Sequence, residues 1–157
     1  MKTLTEKTSP VYSGLDIAKA TLQLHLQGRH TTFANTVAGH RQLLQQLRAV
    51  PGVHLVCEAT GGYERAVVAA LHATAIPVSV VNPAQVRYFA RAQGQRAKND
   101  PIDSAVLTAY GVALRPPATP LPDACLDELR ALIQWRLHLL EQRQATRNHA
   151  EHATQPF

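Results

Sequence analysis

Two kinds of apolar pattern in one chain limit the folds open to it. In "TLQLHLQG", Thr21 to Gly28, apolar and polar residues alternate with a period of two, the mark of a strand with one face on a core and the other toward water. In "VHLVCEAT" and "IPVSVVN", which begin at Val53 and Ile76, the apolar run is nearly continuous, as in strands of a parallel sheet buried on both faces. A chain that holds both kinds needs a mixed sheet covered by helices. "VYSGLD" reads as a strand before the alternating one and "RHTTFANT" as a strand after it, with the turn expected at Gly28-Arg29, so the first three strands form an antiparallel meander.

Helical patterns fill the gaps. "GHRQLLQQLRAV" sets Leu43, Leu44, Leu47 and Val50 at helical spacing and stops at Pro51-Gly52. "YERAVVAALHATA" follows the second kind of strand, "PAQVRYFARAQ" opens on Pro83 at its first helical position, and "DPIDSAVLTAYGVAL" is closed by Arg115-Pro116-Pro117. Three antiparallel strands, a helix, then alternating strands and helices is the order of a ribonuclease H-like α/β domain with a mixed five-stranded sheet. The expected organisation is a polar arm over 1–10, this domain over 11–115, a stiff proline-rich linker over 116–123 and an amphipathic helix over 124–152. In that last helix Leu126, Leu129, Ile133, Leu137 and Leu140 recur at steps of three and four, a narrow stripe that suits coiled-coil pairing of two or more copies. A single amphipathic helix folding back on its own domain is the alternative.

No apolar run approaches the roughly 20 residues that cross a bilayer, and the polar start "MKTLTEKTSP" carries no signal-peptide core, so the expectation is a cytoplasmic protein with no membrane partner. Cys57 and Cys125 lie far apart and are expected to be reduced, and the eight histidines form no zinc pattern with them. The net charge is +5, and its distribution is more informative: Arg65 to Asn99 holds no acidic residue, while Arg87, Arg91, Arg96 and Lys98 crowd its end. Together with Lys19 beside the first strand, these residues are the candidates for contact with a polyanion, a solvated basic helix face being the plainer explanation.

Four acids stand out against this background: Asp16, Glu58, Asp100 and Asp103. Taken singly, each has a local role open to it. Asp100 before Pro101 is a good helix N-cap, and Asp103 in the first turn suits the helix dipole. Asp16 in "GLDIAK" and Glu58 in "VCEATGG", however, put carboxylates into apolar strands, where burial is expensive without a partner or a cation. In a ribonuclease H-like layout all four converge at one end of the sheet, and their repulsion calls for divalent metal, Mg²⁺ or Mn²⁺ on hard oxygen ligands. Two such ions roughly 3.5–4 Å apart would serve attack and departure at a phosphodiester. A non-catalytic nucleic-acid-binding module and a stand-alone junction nuclease remain open beside an enzyme of DNA strand transfer.

"GLDIAK", "CEATGGY" and "VNPAQVRYFARAQGQRAKNDPIDS" together resemble the N-terminal catalytic domain of the DEDD insertion-sequence transposases, the group that includes the Piv-type invertases. The resemblance runs from about Val11 to Leu114 and includes the trailing helix. It implies a RuvC-like fold with Asp16, Glu58, Asp100 and Asp103 as catalytic and metal-binding tetrad, element and target DNA as partner and, in part of the family, a structured guide RNA. Asn99, Pro101 and Ser104 depart from the family's usual Thr or Ser, non-proline residue and Ala at those positions. The resemblance also implies a second domain bearing a serine nucleophile, which these residues do not include, so a truncated or fragmentary form is expected. Ser13, Ser79 and Ser104 match no nucleophile motif.

Overall fold

A five-stranded sheet in the order β3-β2-β1-β4-β5 organises the first part of the chain. The computed structural model describes residues 9–94, 104–121 and 124–153. β1 (Val11–Ile17), β2 (Thr21–Leu26) and β3 (Arg29–Ala34) form an antiparallel meander. α1 (Val37–Arg48) then carries the chain to β4 (Val53–Glu58), which pairs parallel to β1. After α2 (Arg65–Ala73), β5 (Val78–Val81) adds parallel to β4. α3 (Pro83–Ala92) and α4 (Ser104–Leu114) complete the unit, and α5 (Ala124–Ala153) follows. This is the mixed ribonuclease H-like sheet expected from the strand patterns.

The two faces of the sheet bury two separate cores. Leu15 and Ile17 of β1, with Leu22, Leu24, Leu55 and Cys57, pack against Leu43 and Leu47 of α1 and Val67, Val68 and Leu71 of α2. On the opposite face Val56 and Val81 meet Val86 and Ala90 of α3 and Val106, Leu107 and Tyr110 of α4, with Tyr12 at the margin. Strand alternation therefore assigns Asp16 to the face of Tyr12, and Glu58 to the face of Val56, that is, to the side covered by α3 and α4.

Helix α4 lies close on β1 because residue 14 is glycine. A Cβ there would collide with the Ser104 carbonyl and come within 2.7 Å of the Thr108 backbone nitrogen. The β2–β3 turn differs from expectation by one residue. Leu26 pairs with Arg29, so the loop is Gln27-Gly28, with φ of 49° and 76°. Positive φ at both positions makes the mirror-image turn that matches the twist of a hairpin.

The proline-rich segment is tied to the sheet over its first residues. Ser79 Oγ lies 3.1 Å and 2.8 Å from the carbonyl oxygens of Pro116 and Pro117, and Thr119 N–H donates to Val78 O at 2.8 Å. Val80 N–H in turn donates to Thr119 Oγ1 at 2.9 Å, so the segment covers β5, an edge that would otherwise invite pairing. The chain divides into two units, Met1–Thr119 and Pro120–Phe157. In the second, Leu129, Ile133 and Leu137 are exposed, and so are Leu132, Trp135 and Leu139, a further apolar row at steps of three and four that the expected stripe leaves out. The side chain of Leu126 lies outside what is described, and Leu140 is half-buried. No described helix is long and apolar enough to cross a membrane.

Candidate active site

Asp16 and Glu58 stand side by side. The parallel register pairs Gly14 with Val56 and Leu15 with Cys57, and one step further along both strands brings Asp16 next to Glu58 on the α3–α4 face. Glu58 Oε1 is buried and has no hydrogen-bond partner among the described residues. Burial pushes the Glu58 carboxyl up from 4.5 to about 7, the nearby Arg87 guanidinium pulls it back, and the Asp16 carboxylate pushes it up again. Both carboxylates sit on strands whose other residues are buried or half-buried, which fixes their backbones.

Arg87 thus serves the acid pair as well as the basic face. It lies on α3, which Asn82 caps by accepting from Ala84 N–H at 2.9 Å, with Pro83 at the first helical position. Arg87 and Arg91 are exposed one turn apart, and Lys19 is exposed in the β1–β2 turn. Asp100, Asp103, Arg96 and Lys98 lie outside the described residues, and so does the capping role expected of Asp100 and Asp103. Among the described residues, no three His, Cys, Asp or Glu side chains gather closely enough to hold a metal ion. Cys57 is buried and free on the other face, its thiol pushed up to about 12 by burial and by Glu64 and Glu58.

Three supports around the pair carry no motif in the sequence. Thr108 of α4 reaches into the meander: its Oγ1 accepts from Gly14 N–H at 2.8 Å, lies 2.8 Å from His25 Nδ1 and 3.1 Å from the Ser104 carbonyl. This hydroxyl fastens the helix to the strand two residues before Asp16. Asn35 ties together the loops beyond both acids, donating through Nδ2 to Ala18 O at 3.0 Å and Tyr63 O at 3.3 Å. With both amide protons so used, Asn35 Oδ1 accepts from His40 Nε2 at 2.8 Å. Burial holds the His40 imidazole below its usual range. Glu64 Oε2 accepts from Thr60 N–H, Thr60 Oγ1 and Gly62 N–H at 3.1, 2.7 and 2.8 Å. Those bonds lower the Glu64 carboxyl against the opposing effect of burial. They close the Gly61-Gly62 turn, whose φ values of 75° and 127° suit glycine.

Neighbouring carboxylates on the central parallel strands of such a sheet define a ribonuclease H-like domain with a candidate acidic active site. The family model of the IS110-type DEDD transposases, described as "Transposase", matches residues 13–154. The chain belongs to that family. It is 31% identical over 138 residues to the pilin gene-inverting proteins of Moraxella lacunata and Moraxella bovis, a match that covers 83% of this chain and 43% of each relative. The chain thus spans less than half the length of the curated relatives it matches. Among solved structures it is similar to a chain titled "T. thermophilus RuvC in complex with Holliday junction substrate", with a TM-score of 0.49 and 14% identity over 70% of this chain and 99% of that one.

Proposed function

We propose that this domain carries the metal-dependent phosphodiester chemistry of a DNA transposase or recombinase, with Asp16, Glu58, Asp100 and Asp103 as its acidic tetrad. The observation that carries the reading is the orphaned Glu58 oxygen: a buried carboxylate beside a second carboxylate, offset only in part by Arg87, is a place where a bound cation is favoured over a proton at neutral pH. Hard oxygen donors fit Mg²⁺ or Mn²⁺. Asp103 directly precedes Ser104, whose carbonyl lies against Gly14, and Asp100 is three residues further back in the sequence. Those two acids are the natural source of the remaining ligands. Two such ions, when bound, neutralise charge on the phosphate and polarise the attacking and leaving oxygens.

The chain's own contribution is positional and electrostatic. β1 and β4 hold Asp16 and Glu58 in fixed register, Thr108 and Asn35 fasten the segments around them, and Arg87 offsets their charge. Lys19, Arg87, Arg91, Arg96 and Lys98 take the phosphates of element and target DNA, and a structured guide RNA is a further partner of the same chemistry. α5 pairs copies of the chain through Leu126, Leu129, Ile133, Leu137 and Leu140, and the protein works in the cytoplasm. Mn²⁺ at millimolar concentration should raise the melting temperature of the protein, since a ligand bound to the folded state alone stabilises it by mass action. The Asp16→Asn variant should lose that rise. A wild-type melting temperature indifferent to Mn²⁺ counts against the site.

A further inference from the structure

We infer that Tyr88, between Arg87 and Arg91 on α3, is a stacking surface for an unpaired base, so that the nucleic acid seated beside the acid pair has at least one unpaired nucleotide there. This inference rests on the nucleic-acid reading proposed above. The sequence pattern alone favours a packing role for a lone tyrosine on a helix, and the structure places it otherwise. Tyr88 is 67% exposed, whereas its neighbour Phe89 turns inward and meets the Tyr110 ring edge-on at 5.4 Å between centroids. One helix thus uses one aromatic for its core and holds the next in water.

Its surroundings indicate the occupant. Arg87, Tyr88 and Arg91 are all exposed on the same helix, and Arg91, three residues after Tyr88 and four after Arg87, neighbours both of them on the outward surface. No acidic residue occurs in α3 or anywhere from Arg65 to Asn99, which leaves the surface complementary to an anion. Arg87 also acts on the Glu58 carboxyl, so the cluster adjoins the acid pair. Tyr88 and the acids share the face of the sheet that carries α3 and α4, whereas Tyr63, the other exposed tyrosine of this unit, leads into α2 on the opposite face. Guanidinium groups bind phosphates without regard to base pairing. An exposed ring beside them adds affinity only where a base face is open to stack on it.

The test compares the full chain and its variants by fluorescence anisotropy in EDTA, with a labelled oligothymidylate and a duplex of equal length, at two salt concentrations. Tyr88→Ala should weaken oligothymidylate binding about tenfold, the loss of one stacked base, and leave duplex binding within about twofold. Tyr88→Phe should restore the single-strand affinity. The salt dependence of Tyr88→Ala should equal that of wild type, while an Arg87→Ala/Arg91→Ala variant should bind both probes more weakly and with a salt slope shallower by about two. If Tyr88→Ala binds oligothymidylate as wild type does while the arginine variant fails, stacking is refuted and the nucleic-acid reading stands. Equal weakening on both probes also refutes it. Wild-type protein that binds neither probe overturns both readings. Altered sedimentation of Tyr88→Ala with unchanged binding would assign this surface to a second copy of the chain and overturn the inference.

Discussion

Replacing Glu58 by Gln should make the metal-free protein more stable at alkaline pH and have little effect at acid pH. A carboxyl raised from 4.5 to about 7 on folding is favourable to the folded state below its unfolded value, and that contribution is lost as pH climbs through the folded value. In full, a shift of this size is worth about 3 kcal/mol. The Glu58 carboxyl is partly open to water, and screening reduces the figure to roughly 1–2 kcal/mol. Wild type should therefore carry this penalty at about pH 8 and little of it at about pH 5, and Glu58→Gln should lack it at both. Any fixed packing effect of the amide cancels when the two pH values are compared. Urea denaturation in EDTA reads the difference directly, and for a chain of this size the melting temperature should move by roughly 2–8 °C. A stability difference between the two proteins that stays constant from pH 5 to pH 8, or a variant that is less stable than wild type only at the higher pH, would refute an unpaired Glu58 beside Asp16.

Thr108→Val should destabilise the protein by about 1–3 kcal/mol in chemical denaturation, since it leaves the Gly14 N–H buried without its acceptor, whereas Thr108→Ser should recover most of the loss. Glu64→Gln should be less stable than wild type at neutral pH, and the gap should close as pH falls, because the lowered Glu64 carboxyl contributes only while ionised and that contribution disappears on protonation. Changing both Ile133 and Leu137 to Asp should shift sedimentation toward monomer, as both are exposed on a single chain, and wild-type protein that is already monomeric at high concentration would remove the pairing role of α5.

Much of the fold was legible because strand patterning reports the environment of each face. Alternation in β2 gave a one-sided strand, and the continuous runs of β4 and β5 gave strands covered on both sides. Asp16 and Glu58 were legible for the same reason, as charges out of place in such runs. What depends on contacts between distant residues was not. Thr108 looks like any threonine in an apolar helix, and only the close approach at Gly14 turns it into a strand anchor. Asn35 and Glu64 act mainly through bonds to backbone groups and His40 through one to the Asn35 amide, and neither kind leaves a pattern in the sequence. Glycine marks only one of the two positions of the β2–β3 turn, and Gln27, which the pairing of Leu26 with Arg29 also places at positive φ, carries no such mark. Prolines suggested a segment leaving the domain, yet a proline lacks only its donor, and the carbonyls of Pro116 and Pro117 remain free to meet Ser79. The second apolar row of α5, Leu132, Trp135 and Leu139, has the same steps of three and four in another register, so a single stripe read from the sequence takes in only part of the exposed apolar surface.

Anomalous diffraction from crystals of this protein soaked in Mn²⁺ tests the central claim most directly. The account predicts manganese peaks at the ends of β1 and β4, within coordination distance of the Asp16 and Glu58 carboxylates and of Asp100 or Asp103, and their disappearance in Asp16→Asn crystals. Wild-type crystals with no peak at that position at millimolar Mn²⁺, or with manganese bound only elsewhere, would contradict it.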